Sequence, residues 1–144
     1  MRQRYAAALR YSPQVLLGLS KSWKSLVHKI QHATVTSVAF SPDSSHLASV
    51  SNKILRIWTT ASGELARELE GHTRSVKSEA FSDSGRFIVS GSRDTTVRVW
   101  DMTSWKTAQL LTGHMDGVTC VAISRNDMFV VSGSKDGTVR TWTK

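Results

Sequence analysis

Gly91-Ser92-Arg93-Asp94-Thr95-Thr96-Val97-Arg98-Val99-Trp100-Asp101 returns, changed only in detail, as Gly133-Ser134-Lys135-Asp136-Gly137-Thr138-Val139-Arg140-Thr141-Trp142. The landmarks before each copy repeat as well: Gly71-His72 and Gly113-His114, then Phe87 to Ser90 and Phe129 to Ser132. Trp58, Trp100 and Trp142 keep the same spacing of 42 residues, so a third copy lies upstream. It comprises Val35, Phe40-Ser41-Pro42-Asp43, Leu47-Ala48-Ser49 and Ile54-Leu55-Arg56-Ile57-Trp58. This first copy departs from the pattern: Gln31-His32 replaces the Gly-His pair, Asn52 stands at the turn aspartate, and it is one residue short before Phe40 and another between Ser49 and Trp58. A looser first unit is expected. Periods of this length mark repeat architectures and take precedence over any local reading.

Inside the second unit, period-two alternation and turn residues delimit short strands. Ser75 to Phe81 reads as one strand, Ser82-Asp83-Ser84-Gly85 as a turn and Phe87 to Ser92 as a second strand. Arg93-Asp94-Thr95 is a tight turn, Thr96 to Asp101 a third strand, and Lys106 to Leu111 a fourth that leads into Gly113-His114. Helical periodicity is absent from residue 33 onward. The expected fold is all-β: about three four-stranded antiparallel units over 25–62, 63–104 and 105–144, preceded by a basic segment, 1–24, that is partly helical.

These anchors resemble WD40 repeats, the blades of β-propellers. The resemblance rests on Gly-His, Phe-Ser-Pro-Asp or Phe-Ser-Asp-Ser-Gly, Ser-Gly-Ser-x-Asp and Val-Arg-Val-Trp-Asp recurring together at one period, over roughly residues 25 to 144. It implies a hydrogen-bond chain in each well-formed blade, here His72, Ser90, Asp94 and Trp100, then His114, Ser132, Asp136 and Trp142. A buried indole N–H needs an acceptor, a hydroxyl both accepts and donates, and imidazole to carboxylate is a charge-assisted pair. A hydrolase triad would use the same residue types. Recurrence at the repeat period and the absence of a nucleophile elbow favour scaffold.

Composition narrows the function classes. The chain has 144 residues, 40% hydrophobic and 21% charged, and no apolar run long enough to span a membrane. One cysteine, Cys120, forms no internal disulfide, which points to a reducing, intracellular compartment, the cytoplasm first and the mitochondrion or nucleus as alternatives. The formal charge of +8 is uneven. Residues 1–42 carry six basic side chains and no acid, so the remaining 102 hold 13 basic and 11 acidic groups, a net of +2. A nucleic-acid-binding domain would show its basic groups on the folded body.

Other tempting features have plain readings. The five histidines show no metal-ligand spacing, and the glycines form no phosphate loop, so no metal or cofactor is expected. Asp43 and Asp83 fit turn-capping roles, and Arg56, Arg98 and Arg140, two residues before each tryptophan, share its face. What remains is a rim of Thr73, Arg74, Arg93, Met115, Asp116 and Lys135, in the loops leading into the units and in the tight turns. These are either solvated surface or a weakly basic binding face. The resemblance implies that such faces bind peptides and proteins that differ between family members. The expected function is a non-catalytic protein-interaction scaffold. The alternative is a nucleic-acid-associated protein using the basic N-terminal segment for phosphate contacts.

The first 24 residues and the lateral faces complete the expectations. Arg2 to Arg10 reads as a short helix ended at Ser12-Pro13. A basic, acid-free start also fits a mitochondrial presequence. Arg10-Tyr11-Ser12-Pro13 and Leu19-Ser20-Lys21-Ser22-Trp23 resemble the connector into the propeller of fungal NACHT-class signalling ATPases. Three blades leave two lateral faces open, with Val38, Phe40, Ile57, Val121, Val131 and Val139 expected to be poorly covered. Lys24 to Ile30 is expected to serve as a fourth strand for a last blade. The chain is then part of a larger array, or its faces are covered by further blades from the same or another chain.

Overall fold

The computed structural model describes Trp23 and residues 25–144. The expected helix over Arg2 to Arg10 and most of the connector-like motifs lie outside the described residues. Eleven strands follow one another: β1 (Val35–Phe40), β2 (His46–Ser51), β3 (Ile54–Thr59), β4 (Leu65–Leu69), β5 (Val76–Phe81), β6 (Phe87–Ser92), β7 (Val97–Asp101), β8 (Lys106–Leu111), β9 (Val118–Ile123), β10 (Phe129–Ser134) and β11 (Val139–Thr143). They form two four-stranded antiparallel sheets, β1-β2-β3-β4 and β5-β6-β7-β8, and a three-stranded one, β9-β10-β11. Each sheet is one repeat.

The sheets stack face to face, with their first strands β1, β5 and β9 adjoining. Ala48, Val50, Leu55 and Ile57 of the first sheet meet Val76, Ile88 and Trp100 of the second. Phe87, Val89, Val97 and Val99 of the second meet Val118, Val130 and Trp142 of the third. A face of small aliphatics on one blade thus covers the tryptophan-bearing face of the next, and this pairing occurs twice. The middle strand β6 is buried along its whole length because it has a blade on each side, whereas β8 is largely exposed.

The outer faces are only partly as expected. Val38 and Phe40 are 68% and 63% exposed on the first blade, and Val131 and Val139 are 36% and 76% exposed on the third. Ile57, however, is fully buried. It lies across β3 from Trp58 and so faces the second blade rather than solvent. Val121 is half-buried, its Cγ1 turned toward Gly91 of the second blade.

Residues 25–30 are not a strand. This stretch instead crosses the loop after β3, where the His28 ring lies over Gly63 and its Nε2 is 3.0 Å from the carbonyl of Ala61. The turn before each middle strand is built alike, with a left-handed residue at Ser44 (φ 62°), Gly85 (φ 73°) and Asp127 (φ 60°). Asp43 caps its turn by accepting from the Ser41 hydroxyl at 2.7 Å and the Ser45 amide at 3.0 Å. Those donors, Ser41 foremost, lower the Asp43 pKa to about 2. Asp83 does not cap its turn: Pro42 holds the matching position in the first unit, and Ser84 takes the capping role, accepting from the Arg86 amide at 3.2 Å. Asp83 pairs outward with Arg125 at 3.6 Å. No helix among the described residues is long and apolar enough to cross a membrane.

Candidate functional site

In the second blade, His72 precedes β5, Ser90 lies on β6, Asp94 in the β6–β7 turn and Trp100 on β7, and the fold brings all four together. Trp100 Nε1–H donates to Ser90 Oγ at 2.8 Å, and Ser90 Oγ is 2.8 Å from His72 Nε2. His72 Nδ1 is 2.8 Å from Asp94 Oδ2. The directions follow from the carboxylate, which only accepts: Nδ1–H donates to Asp94, and Nε2 of the neutral ring then accepts from the Ser90 hydroxyl, whose oxygen accepts from the indole. That chain requires a neutral imidazole. Burial holds the His72 pKa below its ordinary value, and Asp94 opposes this only in part.

Asp94 also organises the turn. Its Oδ1 accepts from the Thr96 hydroxyl at 2.6 Å and the Thr96 amide at 2.9 Å, and its Oδ2 from the Thr73 amide at 3.0 Å. Burial pushes the Asp94 pKa up, but these donors outweigh it and keep the group ionised. The third blade repeats the geometry, with Trp142 to Ser132 at 2.9 Å, Ser132 to His114 at 2.8 Å and His114 to Asp136 at 2.8 Å. The Thr138 hydroxyl leads the donors that hold Asp136 well below the usual carboxylate range. Ser90 is fully buried and Ser132 nearly so, each already bonded to indole and imidazole. Neither hydroxyl is accessible to a substrate.

The first blade keeps half of this arrangement. Trp58 donates to Ser49 at 2.8 Å, and His32 lies edge-on to Trp58 at 5.8 Å, as His72 does to Trp100 at 6.3 Å. With Asn52 in a turn one residue shorter, no carboxylate among the described residues reaches His32. Its Nδ1 is buried without a partner among the described residues, and Arg56 lies 2.8 Å from its Nε2. Arg56 also pairs with Glu68 at 2.6 Å.

The arginines explain the glycine of the Gly-His pair. Arg98 stacks over Trp100 at 5.7 Å and passes above Gly71, where a Cβ would lie 2.7 Å from its Nη1. Arg140 crosses Gly113 in the same way, at 2.6 Å. In the first blade Arg56 turns to Glu68 and His32, and Gln31 stands in place of glycine.

The expected rim residues gather at the end of the blades that carries the tight turns. The Arg93 amide donates to the Ser75 carbonyl at 2.8 Å, and the Lys135 amide to Gly117 at 2.9 Å, which pins each tight turn to the loop leading into its own blade. Ser92 and Ser134 hydroxyls reinforce this through the carbonyls of Arg74 and Asp116, at 2.8 and 2.9 Å. Thr73, Arg74 and Arg93 therefore share one blade's rim, and Met115, Asp116 and Lys135 the next. Met115 is 85% exposed. Sequence reasoning missed Lys77, which joins Arg93 and Lys135 in lining a cleft with Thr36 and Thr119. The available signal was Lys77 standing where the other units have threonine on their first strand. It also missed Glu79, buried at a position that is valine in both other units. Among the described residues no cluster of three or more His, Cys, Asp or Glu side chains could hold a metal ion.

Comparison with known proteins agrees with this geometry. The family model described as WD domain, G-beta repeat matches residues 24–59, 63–101 and 105–143. A stretch of 72 residues is 36% identical to the Set1 complex component swd1 of Schizosaccharomyces pombe, covering 49% of this chain and 18% of that protein. Another of 76 residues is 41% identical to Protein HIR1 of Mycosarcoma maydis, covering 44% of this chain and 8% of that protein. The chain thus spans less than a fifth of these relatives. Two solved structures, of U3-55K and of the RRP9 WD40 repeats, superpose with a TM-score of 0.75 at 25% and 26% identity, each over 80% of this chain and 37% of the other. Three matched repeats, each folded as one antiparallel sheet, place the chain in the WD40 repeat family.

Proposed function

We propose that this chain is a non-catalytic interaction module that binds partner proteins or peptides through the rim formed by Thr73, Arg74, Arg93, Met115, Asp116 and Lys135. One observation carries the reading. The conspicuous polar residues are consumed inside the blades, while the same hydrogen bonds fix the backbone of rim loops whose side chains stay exposed. A rigid backbone with free side chains suits recognition, because little order remains to be imposed on binding. A photo-crosslinker at Met115 tests this. It should capture a protein whose purified form then binds wild type and loses affinity for Arg74→Glu. Equal capture from a crosslinker at Asp83, on the opposite rim, would count against it.

The lateral faces supply the second part of the proposal. The first blade exposes a tryptophan-type face and the third an aliphatic face, the two halves of the pairing closed twice inside the chain. Further blades, from this or another chain, are the partners those faces fit. The exposed, unpaired Cys120 supports a reducing, intracellular setting for the module.

A further inference from the structure

We propose that the cleft walled by Lys77, Arg93 and Lys135 binds acidic peptide segments. The proposal rests on the rim being a protein-binding surface and names the chemistry that this surface selects. The cleft measures about 310 Å³ and opens where the second and third tight turns meet the first strands of their blades. Thr36, Thr119 and the buried Val118 line it together with the three cations.

The three cations are there by construction. Arg93 and Lys135 occupy the same position in successive repeats, directly before the turn aspartate, and both turns are anchored by backbone hydrogen bonds. Gly117 lets the second turn come close: a Cβ there would lie 3.3 Å from the Arg93 Cα. Lys77 approaches from β5. None of the three forms an ion pair among the described residues. Asp94 and Asp136, next to Arg93 and Lys135 in sequence, are committed to His72 and His114. Glu79, two residues beyond Lys77, is buried rather than on the rim.

The opposite rim is the contrast. There Arg86 faces Asp101 and Arg125 faces Asp83, both at 3.6 Å, so those two arginines already have acidic neighbours. The tight-turn side differs in gathering three cations without ion-pair partners around one cleft, where they can steer and retain an anionic ligand. An acidic peptide fits better than a nucleic acid. The walls offer no aromatic platform for base stacking, and three cations in a short cleft make no track for successive phosphates.

Fluorescence anisotropy on the full chain decides the matter, with three labelled probes: a peptide alternating Glu and Ala, its Gln-for-Glu counterpart, and oligo-dT. The acidic peptide should bind, weaken as salt rises, and outcompete the Gln peptide. Lys77→Gln, Arg93→Gln and Lys135→Gln should each weaken it by about two- to fivefold, as exposed charge pairs do, and the triple variant by more than about tenfold. Arg86→Gln should change nothing, and unchanged melting curves would show that every variant is folded. The proposal is overturned if neither peptide binds, if both bind equally, if the triple variant binds like wild type, or if oligo-dT binds as tightly through the same residues. A protein captured at Met115 that binds the triple variant undiminished would remove the acidic selectivity and leave the rim reading intact.

Discussion

Gly91 of β6 lies so close to Val118 of the next blade that a Cβ at position 91 would sit 2.5 Å from Val118 Cγ1 and 2.8 Å from Val121 Cγ1. The neighbours are β-branched side chains in a packed interface, with little freedom to move aside. Gly91→Ala should therefore destabilise the chain by about 1–3 kcal/mol through overpacking. Gly71→Ala is the control. Its Cβ would meet only the mobile end of Arg98, which can swing away, so its cost should stay below about 1 kcal/mol. Urea midpoints of the two variants check the ranking, and equal midpoints would refute it.

Removing Asp94 tests whether the internal chain holds the blade together. Asp94→Ala strips the acceptor from His72 Nδ1, the Thr73 amide and the Thr96 amide and hydroxyl. Unpaired buried donors cost about 1–3 kcal/mol, so the unfolding midpoint should fall accordingly. Asp136→Ala should lower the midpoint through the third blade, where Asp136 holds the matching place. No midpoint change in either variant would remove the aspartates from the scaffold.

Glu79 is the internal weak point. It is 6% exposed, and among the described residues neither carboxyl oxygen has a hydrogen bond of good geometry, the Ser37 hydroxyl giving only a weak one. Burial raises its pKa above 4.5, which Ser37 in the first blade offsets only in part. Glu79→Val, which installs the residue found at Val38 and Val121, should stabilise the chain at neutral pH by about 1–3 kcal/mol. The pH dependence follows by linkage. Above 4.5 the unfolded chain ionises Glu79 more readily than the folded one, so this group's contribution is full below 4.5 and is lost as pH rises through the raised folded value. His72 acts oppositely: its folded pKa is lowered, so acidification below 6.5 protonates the unfolded chain preferentially and destabilises the fold. The gap between Glu79→Val and wild type should therefore be widest at neutral pH and close on acidification toward 4.5. Urea midpoints across that range measure it, and a gap independent of pH would exclude the mechanism.

The repeat was legible because several constraints recur together. Trp100 needs Ser90, Ser90 needs His72 and His72 needs Asp94, so four distant residues are tied to one geometry and appear in the sequence as a period. Strands β6 and β8 matched their expected bounds for a related reason: turn residues stand at each end. The misreadings came from context that no single repeat carries. Ile57 was expected at an open face because its blade is terminal, but which face of β3 is open depends on the side from which the second blade packs. Residues 25–30 stand where a fourth strand would precede the first unit, yet a strand exists only with a partner edge. Lys77 and Glu79 went unnoticed because a charged residue on an expected strand reads as solvent-facing until the neighbouring blade is placed.

The outer faces make the most demanding prediction. Inside the chain, aliphatic faces close on tryptophan faces twice, and the faces left over are one of each kind. Val38, Phe40 and Leu47 line the open groove of the first blade, and Ala122, Val131 and Val139 that of the third. Apolar patches of this kind mark interfaces, and two unlike surfaces that fit each other make a head-to-tail contact. The isolated chain should therefore self-associate in a concentration-dependent way, read by light scattering after size exclusion. Phe40→Glu should disable one face and Val139→Glu the other, so each variant alone should run as a monomer. Mixed together, they still offer one intact aliphatic face and one intact tryptophan face, and they should form a mixed pair. Non-specific stickiness predicts no such complementation. A wild-type monomer at micromolar concentration, or two variants that fail to pair on mixing, would show that the open faces do not recognise each other.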